Sequence, residues 1–338
     1  MIIIMTPGAS DVSIAAVTQR LETMGLKAHL SRGIHQTVIG AIGDERRINE
    51  TGLEALPEVD RIVRVMRPYK FVSREGRDHG SVVEVCGIPV GGQQIQVIAG
   101  PCSVETPAQM EEVATAVVAA GCRMMRGGAF KPRTSPYAFQ GVGVEGLVMM
   151  KEAAKRHGLP IVTELLDVRM LDTFLEYGVD VIQIGTRNMQ NFELLKEVGR
   201  THTPVVLKRG FSATISEWLM AAEYIAAAGN HNIIFCERGV RSFEDAYRNM
   251  LDVTAVPVLK RETHLPVIID PSHAGGKAWM VPALARAAIA AGADGLLVEM
   301  HPRPVEAWSD ADQALSPTEL NALMVELRGI ATVLGRTL

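Results

Sequence analysis

The stretch Val97-Ile98-Ala99-Gly100-Pro101-Cys102-Ser103-Val104-Glu105 decides the fold of this chain. A Gly-Pro step ends its apolar run, and a helix follows with Thr106 as its N-cap, Pro107 at the first helical position and Gln109 placed to complete a capping box. This sequence predicts a strand that leads into a helix, and in parallel α/β folds ligands bind at that end of the strand. Cys102 is therefore either a functional thiol or a packed one.

Composition limits the classes of protein to consider. With 338 residues, 47% of them hydrophobic and 21% charged, the chain can bury a large core and has room for a second, smaller domain. The net charge of −4 gives no reason to expect nucleic-acid or membrane partners. No apolar run approaches the roughly 20 residues that span a bilayer. The four cysteines are scattered without paired spacing, which predicts a reduced, cytoplasmic protein.

Residues 1–66 predict a small α+β domain. Strands are expected at 1–6, 27–31, 37–43 and 60–66, and helices at 12–24 and 53–56. The order βαββαβ is ferredoxin-like and suits a regulatory or assembly module. Residues 67–80 are polar and lack a period, so we predict a linker there, followed by a hairpin over 81–92.

The rest of the chain alternates apolar runs with amphipathic stretches. Strands are predicted at 97–100, 124–127, 161–165, 181–185, 205–208, 233–237, 267–270 and 296–299. Helices are predicted at 105–120, 144–157, 168–177, 191–200, 215–228, 242–252, 280–291 and 317–334. Thr214 with Glu217 and Ser316 with Glu319 form further capping boxes. Eight such units predict a (β/α)8 barrel over 81–338. An open doubly wound sheet is the alternative, but eight evenly spaced units favour a closed barrel.

A barrel gathers the polar residues that follow its strands at one mouth, and one group of them suits a metal. Cys102, His273, Glu299 and Asp310 combine a thiol, an imidazole and two carboxylates, which are ligands for a divalent transition metal. At this point a packed Cys102 remains the alternative.

A second group at the predicted mouth is cationic. It comprises Arg126, Lys131, Arg133, Arg187, Lys208, Arg209 and Arg238. These charges would repel one another unless anions lie among them, and arginine suits phosphate and carboxylate oxygens. We therefore predict a small substrate with more than one anionic group, the alternative being an ordinary solvated surface.

Five motifs resemble those of the 3-deoxy-D-arabino-heptulosonate 7-phosphate (DAHP) synthases of the shikimate pathway. They are Gly100-Pro101-Cys102-Ser103, Lys131-Pro132-Arg133-Thr134, Ile184-Gly185-Thr186-Arg187-Asn188, Leu207-Lys208-Arg209-Gly210 and Asp270-Pro271-Ser272-His273. The resemblance covers the whole predicted barrel. Residues 1–66 further resemble the domain that, in one branch of the family, serves feedback inhibition by aromatic amino acids.

The resemblance implies a reaction and roles for named residues. The expected reaction condenses phosphoenolpyruvate with erythrose 4-phosphate and needs a divalent metal (Mn, Fe, Co or Zn). The resemblance implies metal ligands at Cys102, His273, Glu299 and Asp310, with Lys131 and His273 as catalytic residues. It implies substrate-binding roles for Arg126, Lys131, Arg133, Thr134, Glu164, Arg187, Lys208 and Arg238. We also expect a homo-tetramer, a tyrosine or phenylalanine effector, and in some relatives a chorismate mutase partner.

Two other functions are kept as alternatives. The 3-deoxy-D-manno-octulosonate 8-phosphate synthases share the fold and use arabinose 5-phosphate. They typically carry Lys-Ala-Asn-Arg in place of Lys131-Pro132-Arg133-Thr134, lack the leading domain, and in some cases replace the metal-binding Cys by Asn. The second alternative is a non-catalytic module that senses amino acids through residues 1–66, which would have little use for a metal set and a cationic mouth.

Overall fold

The computed structural model describes residues 1–33, 36–43, 50–63 and 67–338. It divides into two compact units. The first comprises Met1–Ser81 with Glu262–His264, and the second comprises Val82–Arg261 with Leu265–Leu338. No helix among the described residues is both long enough and apolar enough to cross a bilayer.

The first unit is a four-stranded antiparallel sheet with two helices. Its elements are β1 (Ile2–Met5), α1 (Asp11–Thr23), β2 (Lys27–Arg32), β3 (Thr37–Ile42), α2 (Glu50–Glu54) and β4 (Val59–Val63). The strand order β2-β3-β1-β4 places β1 between β3 and β4. The predicted βαββαβ order is confirmed, although residues 64–66 of the last predicted strand lie outside the described residues.

Successive side chains of a strand point to opposite faces of the sheet. All four side chains of β1 are buried, so the strand is covered on both faces. Ile3 packs with Leu21 of α1, whereas Ile4 belongs to the apolar cluster on the other face. The first unit extends beyond the predicted linker boundary, since Tyr69 and Phe71 are buried in it. Gly40 of β3 makes room for the Phe71 ring, with which a Cβ would collide.

The second unit is a closed parallel barrel, as predicted. A hairpin precedes it, formed by β5 (Val83–Val85) and β6 (Ile88–Val90). The barrel strands are β7 (Gln96–Gly100), β8 (Met124–Arg126), β9 (Ile161–Leu165), β10 (Val181–Ile184), β11 (Val205–Lys208), β12 (Ile233–Glu237), β13 (Val267–Ile269) and β14 (Gly295–Glu299). The helices are α3 (Pro107–Ala119), α4 (Val144–His157), α5 (Leu171–Glu176), α6 (Phe192–Gly199), α7 (Ile215–Ala228), α8 (Ala255–Glu262), α9 (Pro271–Gly275), α10 (Val281–Ala290) and α11 (Pro317–Val333).

The hairpin closes the amino-terminal end of the barrel. Its side chains Val83, Val85 and Ile88 form one cluster with residues from the strands, among them Met124 and Val181 at the starts of β8 and β10. Apolar packing fills this end, so the opposite, carboxyl end of the barrel is available for polar side chains.

The structure agrees with the local predictions from the sequence, with two exceptions. The capping boxes at Thr214 and Ser316 are confirmed. The one expected at α3 is incomplete, because Gln109 accepts a hydrogen bond from the Glu105 N–H (3.0 Å) rather than from that of Thr106. The prediction of a helix at 242–252 is wrong. Its apolar residue Phe243 is 98% exposed, and the helix begins later, at Ala255.

Candidate active site

The carboxyl end of the barrel carries a cavity of about 330 Å³. Its lining includes nine of the predicted site residues, namely Lys131, Arg133, Thr134, Glu164, Arg187, Lys208, Arg238, His273 and Asp310. The predicted residues Cys102, Arg126 and Glu299 are buried and are not part of the lining. The Cys102 thiol donates a hydrogen bond to Asp310, which lines the cavity, and Glu299 accepts one from the buried Arg126 beside it.

Three of the four predicted metal ligands converge closely. Cys102, Glu299 and Asp310 each offer a ligand atom, and these atoms lie within 4.8 Å of one another. The Cys102 thiol donates to Asp310 Oδ2 at 3.0 Å. His273 stands beside this group, with Nε2 3.4 Å from Glu299 Oε1. A thiol, two carboxylates and an adjacent imidazole form a donor set that fits a divalent transition metal.

The protonation of the cluster follows from its burial. Burial, with the nearby Glu299 carboxylate, raises the pKa of the Cys102 thiol to about 11, against the opposing effect of the Lys131 ammonium. Burial also lowers the pKa of His273, which favours the neutral imidazole that metals require. His273 Nδ1 lies 2.7 Å from Asp270 Oδ2 without the geometry of a hydrogen bond, and the Asp270 charge opposes part of this lowering.

Lys131 connects the cluster with the cavity. Its Nζ donates to the backbone oxygen of Cys102 and lies 2.9 Å from Cys102 Sγ. The same side chain lines the cavity. A single ammonium group therefore faces both the candidate ligands and the space available to a substrate.

The cavity has a large excess of positive charge. Six cationic side chains line it, against the carboxylates of Glu164 and Asp310. Two of the six form internal ion pairs, Lys208 with Asp270 (2.6 Å) and Arg248 with Asp310 (3.3 Å).

The other four cations of the lining, Lys131, Arg133, Arg187 and Arg238, have no carboxylate within ion-pair distance in the described part of the chain. Of these four, Arg238 gives the strongest indication of an anion site, because this residue is only 3% exposed. A buried guanidinium without a counter-ion is costly, so the cavity is built to receive anions.

Three arginines surround one aromatic ring that was not predicted as part of the site. The guanidinium carbons of Arg187, Arg238 and Arg241 lie 5.5, 4.9 and 4.7 Å from the centre of the Phe211 ring. The ring lines the cavity. Its negative face offsets part of the repulsion between guanidinium groups held so close together.

Two further arginines differ from the sequence-based expectation. Arg209 does not line the cavity, because its Nη1 pairs with Asp252 (2.7 Å) and its Nε donates to the Ala213 carbonyl. Arg248, which was not predicted, does line it. Arg248 lies in the stretch that was expected to form an external helix, and this expectation concealed it.

A closed parallel barrel with a cationic cavity and a clustered ligand set at the carboxyl ends of its strands defines a class of protein: the TIM-barrel enzymes. Comparison with known proteins identifies the family. Residues 80–334 match the DAHP synthetase I family, and residues 1–67 match the DAHP synthase ferredoxin-like domain. The chain belongs to the DAHP synthetase I family and is a transferase enzyme.

Individual relatives agree with this assignment. The chain is 47% identical over 335 residues to the phospho-2-dehydro-3-deoxyheptonate aldolase of Thermotoga maritima, which covers 99% of each chain. The crystal structure of DAHP synthase from the same organism superposes with a TM-score of 0.79, at 46% identity over 99% of this chain and 98% of the other. A 2-dehydro-3-deoxyphosphooctonate aldolase of Stenotrophomonas maltophilia is 32% identical, over 74% of this chain and 96% of its own.

Proposed function

We propose that this enzyme condenses phosphoenolpyruvate with erythrose 4-phosphate to give DAHP and inorganic phosphate. The observation that carries the proposal is the set of cations without carboxylate partners around the cavity, Arg238 above all. Phosphoenolpyruvate brings a phosphate and a carboxylate, and erythrose 4-phosphate brings a second phosphate. Two such substrates side by side match the charge of this cavity.

The proposed roles divide the cavity between the two substrates. Arg126, Lys131, Arg187, Lys208 and Arg238 would hold the phosphate and carboxylate of phosphoenolpyruvate. Arg133 and Thr134 would hold the phosphate of the sugar. Arg133 is prepared for this role, because its Nε donates to the Phe139 carbonyl at 3.1 Å and leaves the rest of the guanidinium available. Glu164 lines the same cavity.

We assign the metal to Cys102, His273, Glu299 and Asp310, on the chemistry of this donor set. A divalent metal bound there supplies Lewis acidity to the aldehyde oxygen of the sugar. Cys102 and Glu299 are buried, His273 and Asp310 face the cavity, and Asp270 Oδ2 lies 2.7 Å from His273 Nδ1.

In the proposed reaction, the methylene carbon of phosphoenolpyruvate attacks the aldehyde carbon. Lys131 is the acid that protonates the aldehyde oxygen as it becomes a hydroxyl group. Positive charge develops at the enol carbon, where the bound carboxylate and phosphate temper it. Water adds to this carbon and gives up one proton, which restores the Lys131 ammonium. Phosphate then leaves by cleavage of its bond to carbon. The arginines contribute by holding both anions at reacting distance.

The choice of sugar separates this function from its nearest alternative. The more distant phosphooctonate aldolase relative shares the barrel. We favour the four-carbon sugar because of the Lys131-Pro132-Arg133-Thr134 motif and because a ferredoxin-like domain of DAHP synthases precedes the barrel.

The test follows phosphoenolpyruvate loss at its ultraviolet absorbance with erythrose 4-phosphate or arabinose 5-phosphate, with and without a chelator. We expect turnover with erythrose 4-phosphate but not with arabinose 5-phosphate. The chelator should abolish this turnover, and Mn²⁺, Co²⁺ or Zn²⁺ should restore it. Turnover with arabinose 5-phosphate only would overturn the proposal. No phosphate release with either sugar would favour a non-catalytic amino-acid sensor.

We propose a regulatory role for the ferredoxin-like domain, with tyrosine or phenylalanine as the effector and a homo-tetramer as the functional assembly. Turnover assays with each amino acid, together with light scattering after size exclusion, test both points. Unchanged turnover with both amino acids would restrict the domain to assembly. We also propose a chorismate mutase partner. We propose a cytoplasmic location, which suits a protein with four unpaired thiols.

A further inference from the structure

Gln313 and Arg248 form a hydrogen-bonded chain behind the two acidic members of the candidate metal cluster. Gln313 is 2% exposed and closes the short turn that follows Asp310. Its Nε2 donates to Glu299 Oε2 at 2.5 Å, and its Oε1 accepts from Arg248 Nη1 at 2.8 Å. The same Nη1 lies 3.3 Å from Asp310 Oδ1. One guanidinium nitrogen thus reaches one acid directly and the other through an amide.

The direction of this chain is fixed by chemistry. An amide has a donor end and an acceptor end, whereas a guanidinium can only donate. Arg248 therefore requires the oxygen of Gln313 on its own side and turns the NH₂ group toward Glu299. The other oxygen of Glu299 accepts from Arg126 Nη1 at 2.5 Å, so each oxygen of this buried carboxylate has a fixed partner.

Arg248 is itself held in place by the backbone. Its N–H donates to the Gly275 carbonyl at 3.1 Å. Its side chain passes over Gly276, where a Cβ would lie 2.5 Å from that of Arg248. Asp310 has a left-handed backbone conformation (φ 52°), which a non-glycine residue adopts at a cost, so its position depends on surrounding contacts.

We propose that Arg248 and Gln313 are positioning residues that hold Asp310 and Glu299 in their metal-binding arrangement. This inference rests on the metal site of the proposed function. Carboxylate ligands of metals are held by hydrogen bonds from an outer layer of side chains, and loss of such a partner typically lowers metal affinity by about 10- to 100-fold.

The same loop provides a matched control. Lys277 Nζ pairs at 2.8 Å with Oδ2 of Asp312, one of the two residues between Asp310 and Gln313 in the turn. Both side chains are well exposed, and the pair does not involve either acid of the cluster. Lys277→Met therefore removes a cation and an ion pair from this loop without touching the proposed chain of hydrogen bonds.

The experiment measures Co²⁺ binding to the full-length protein by the thiolate-to-cobalt absorption band of Cys102, in competition with a chelator of known affinity. We expect Gln313→Leu and Arg248→Met each to weaken Co²⁺ binding by about 10- to 100-fold, and Lys277→Met by less than about twofold. The double variant should lose little more than either single one, because both belong to one chain. Arg248→Lys should recover part of the loss, since a single nitrogen makes both contacts.

The outcomes separate this inference from the proposed function. Wild-type Co²⁺ binding without a thiolate band would remove the metal site and this inference with it. Wild-type affinity in folded Gln313→Leu and Arg248→Met, with the band intact in all proteins, would overturn the inference alone. An Arg248→Met protein with unchanged metal affinity but a raised KM for the sugar phosphate would make Arg248 a substrate ligand instead. Melting temperatures of the metal-free proteins show whether each variant is folded.

Discussion

Lys131 Nζ lies 2.9 Å from Cys102 Sγ, although the two residues belong to different βα loops of the barrel. The ammonium also donates to the Cys102 backbone oxygen, so its position is fixed by two contacts from the same residue. This places a proton donor between the candidate ligands and the cationic cavity. Removing the charge of Lys131 tests proton donation, whereas removing the thiol of Cys102 tests metal binding.

We expect Lys131→Met to lower kcat by about 10²- to 10⁴-fold, the usual contribution of a positioned proton donor. The methionine retains the length and apolar stem of the lysine but cannot protonate the aldehyde oxygen. Steady-state kinetics combined with a metal titration check this prediction. A fall in metal affinity large enough to account for the lost rate would argue that Lys131 supports the cluster rather than the chemistry.

Cys102→Ser should lower the affinity for Zn²⁺ or Co²⁺ by more than about 100-fold, because a ligand atom is lost rather than one of its supports. Metal content after dialysis against a chelator, together with turnover, measures the effect. Cys122→Ser is the matched control, since that buried thiol lies against Met324 Sδ (3.8 Å), away from the cluster. A Cys102→Ser enzyme that kept full activity and metal content would remove Cys102 from the ligand set.

Arg238→Met should raise the KM for phosphoenolpyruvate by about 10- to 100-fold, the cost of losing charge-assisted hydrogen bonds to an anion. The substrate-free protein should at the same time become more stable, because a buried cation without a carboxylate partner is replaced by an apolar side chain. Kinetics with each substrate varied in turn and thermal melting test the two parts.

Arg241→Met is the control for this prediction. Arg241 contacts the same Phe211 ring but is exposed and does not line the cavity. It should therefore change KM and melting temperature little. Equal effects of the two substitutions on KM would mean that the net charge of the mouth, and not a specific contact, attracts phosphoenolpyruvate.

The sequence was most informative where a functional residue directly follows a strand. Cys102, Lys208 and Glu299 lie at or next to strand ends, and the barrel dictates where such side chains meet. Phe211 and Arg248 could not be found this way. Arg248 stands in a long irregular stretch between β12 and α8, and only the folded chain shows that this stretch returns to the mouth.

The sequence also could not tell which cations are neutralised inside the protein. Arg209 and Arg238 each follow a strand and precede a glycine, so their local contexts are nearly the same. Arg209 finds a partner in Asp252, more than 40 residues away along the chain. Arg238 has no such partner among the described residues, and a difference that depends on distant residues has no local signal.

Glu237 is a fully buried acid at the end of β12. Its Oε1 accepts from the Gly239 N–H at 2.9 Å, while Oε2 has no hydrogen-bond partner in the described part of the chain. Burial raises the pKa of Glu237 to about 8 from an ordinary value of 4.5, against the weaker pull of the Gly239 N–H and Arg209. Between these two values the folded protein carries the extra proton, so stability falls as pH rises through this window.

Glu237→Gln should remove this pH dependence, because the amide oxygen still accepts from Gly239 and the side chain no longer ionises. The free energy of unfolding of the variant, relative to wild type, should rise by up to about 1.4 kcal/mol per pH unit between roughly pH 5 and 8. Denaturant titrations at four pH values measure it. Glu244→Gln is the control, since hydrogen bonds from backbone N–H groups lower the pKa of this exposed acid and move its titration below the window. Parallel stability curves for wild type and Glu237→Gln would mean that Arg209, 3.9 Å away, keeps Glu237 ionised in the folded protein throughout.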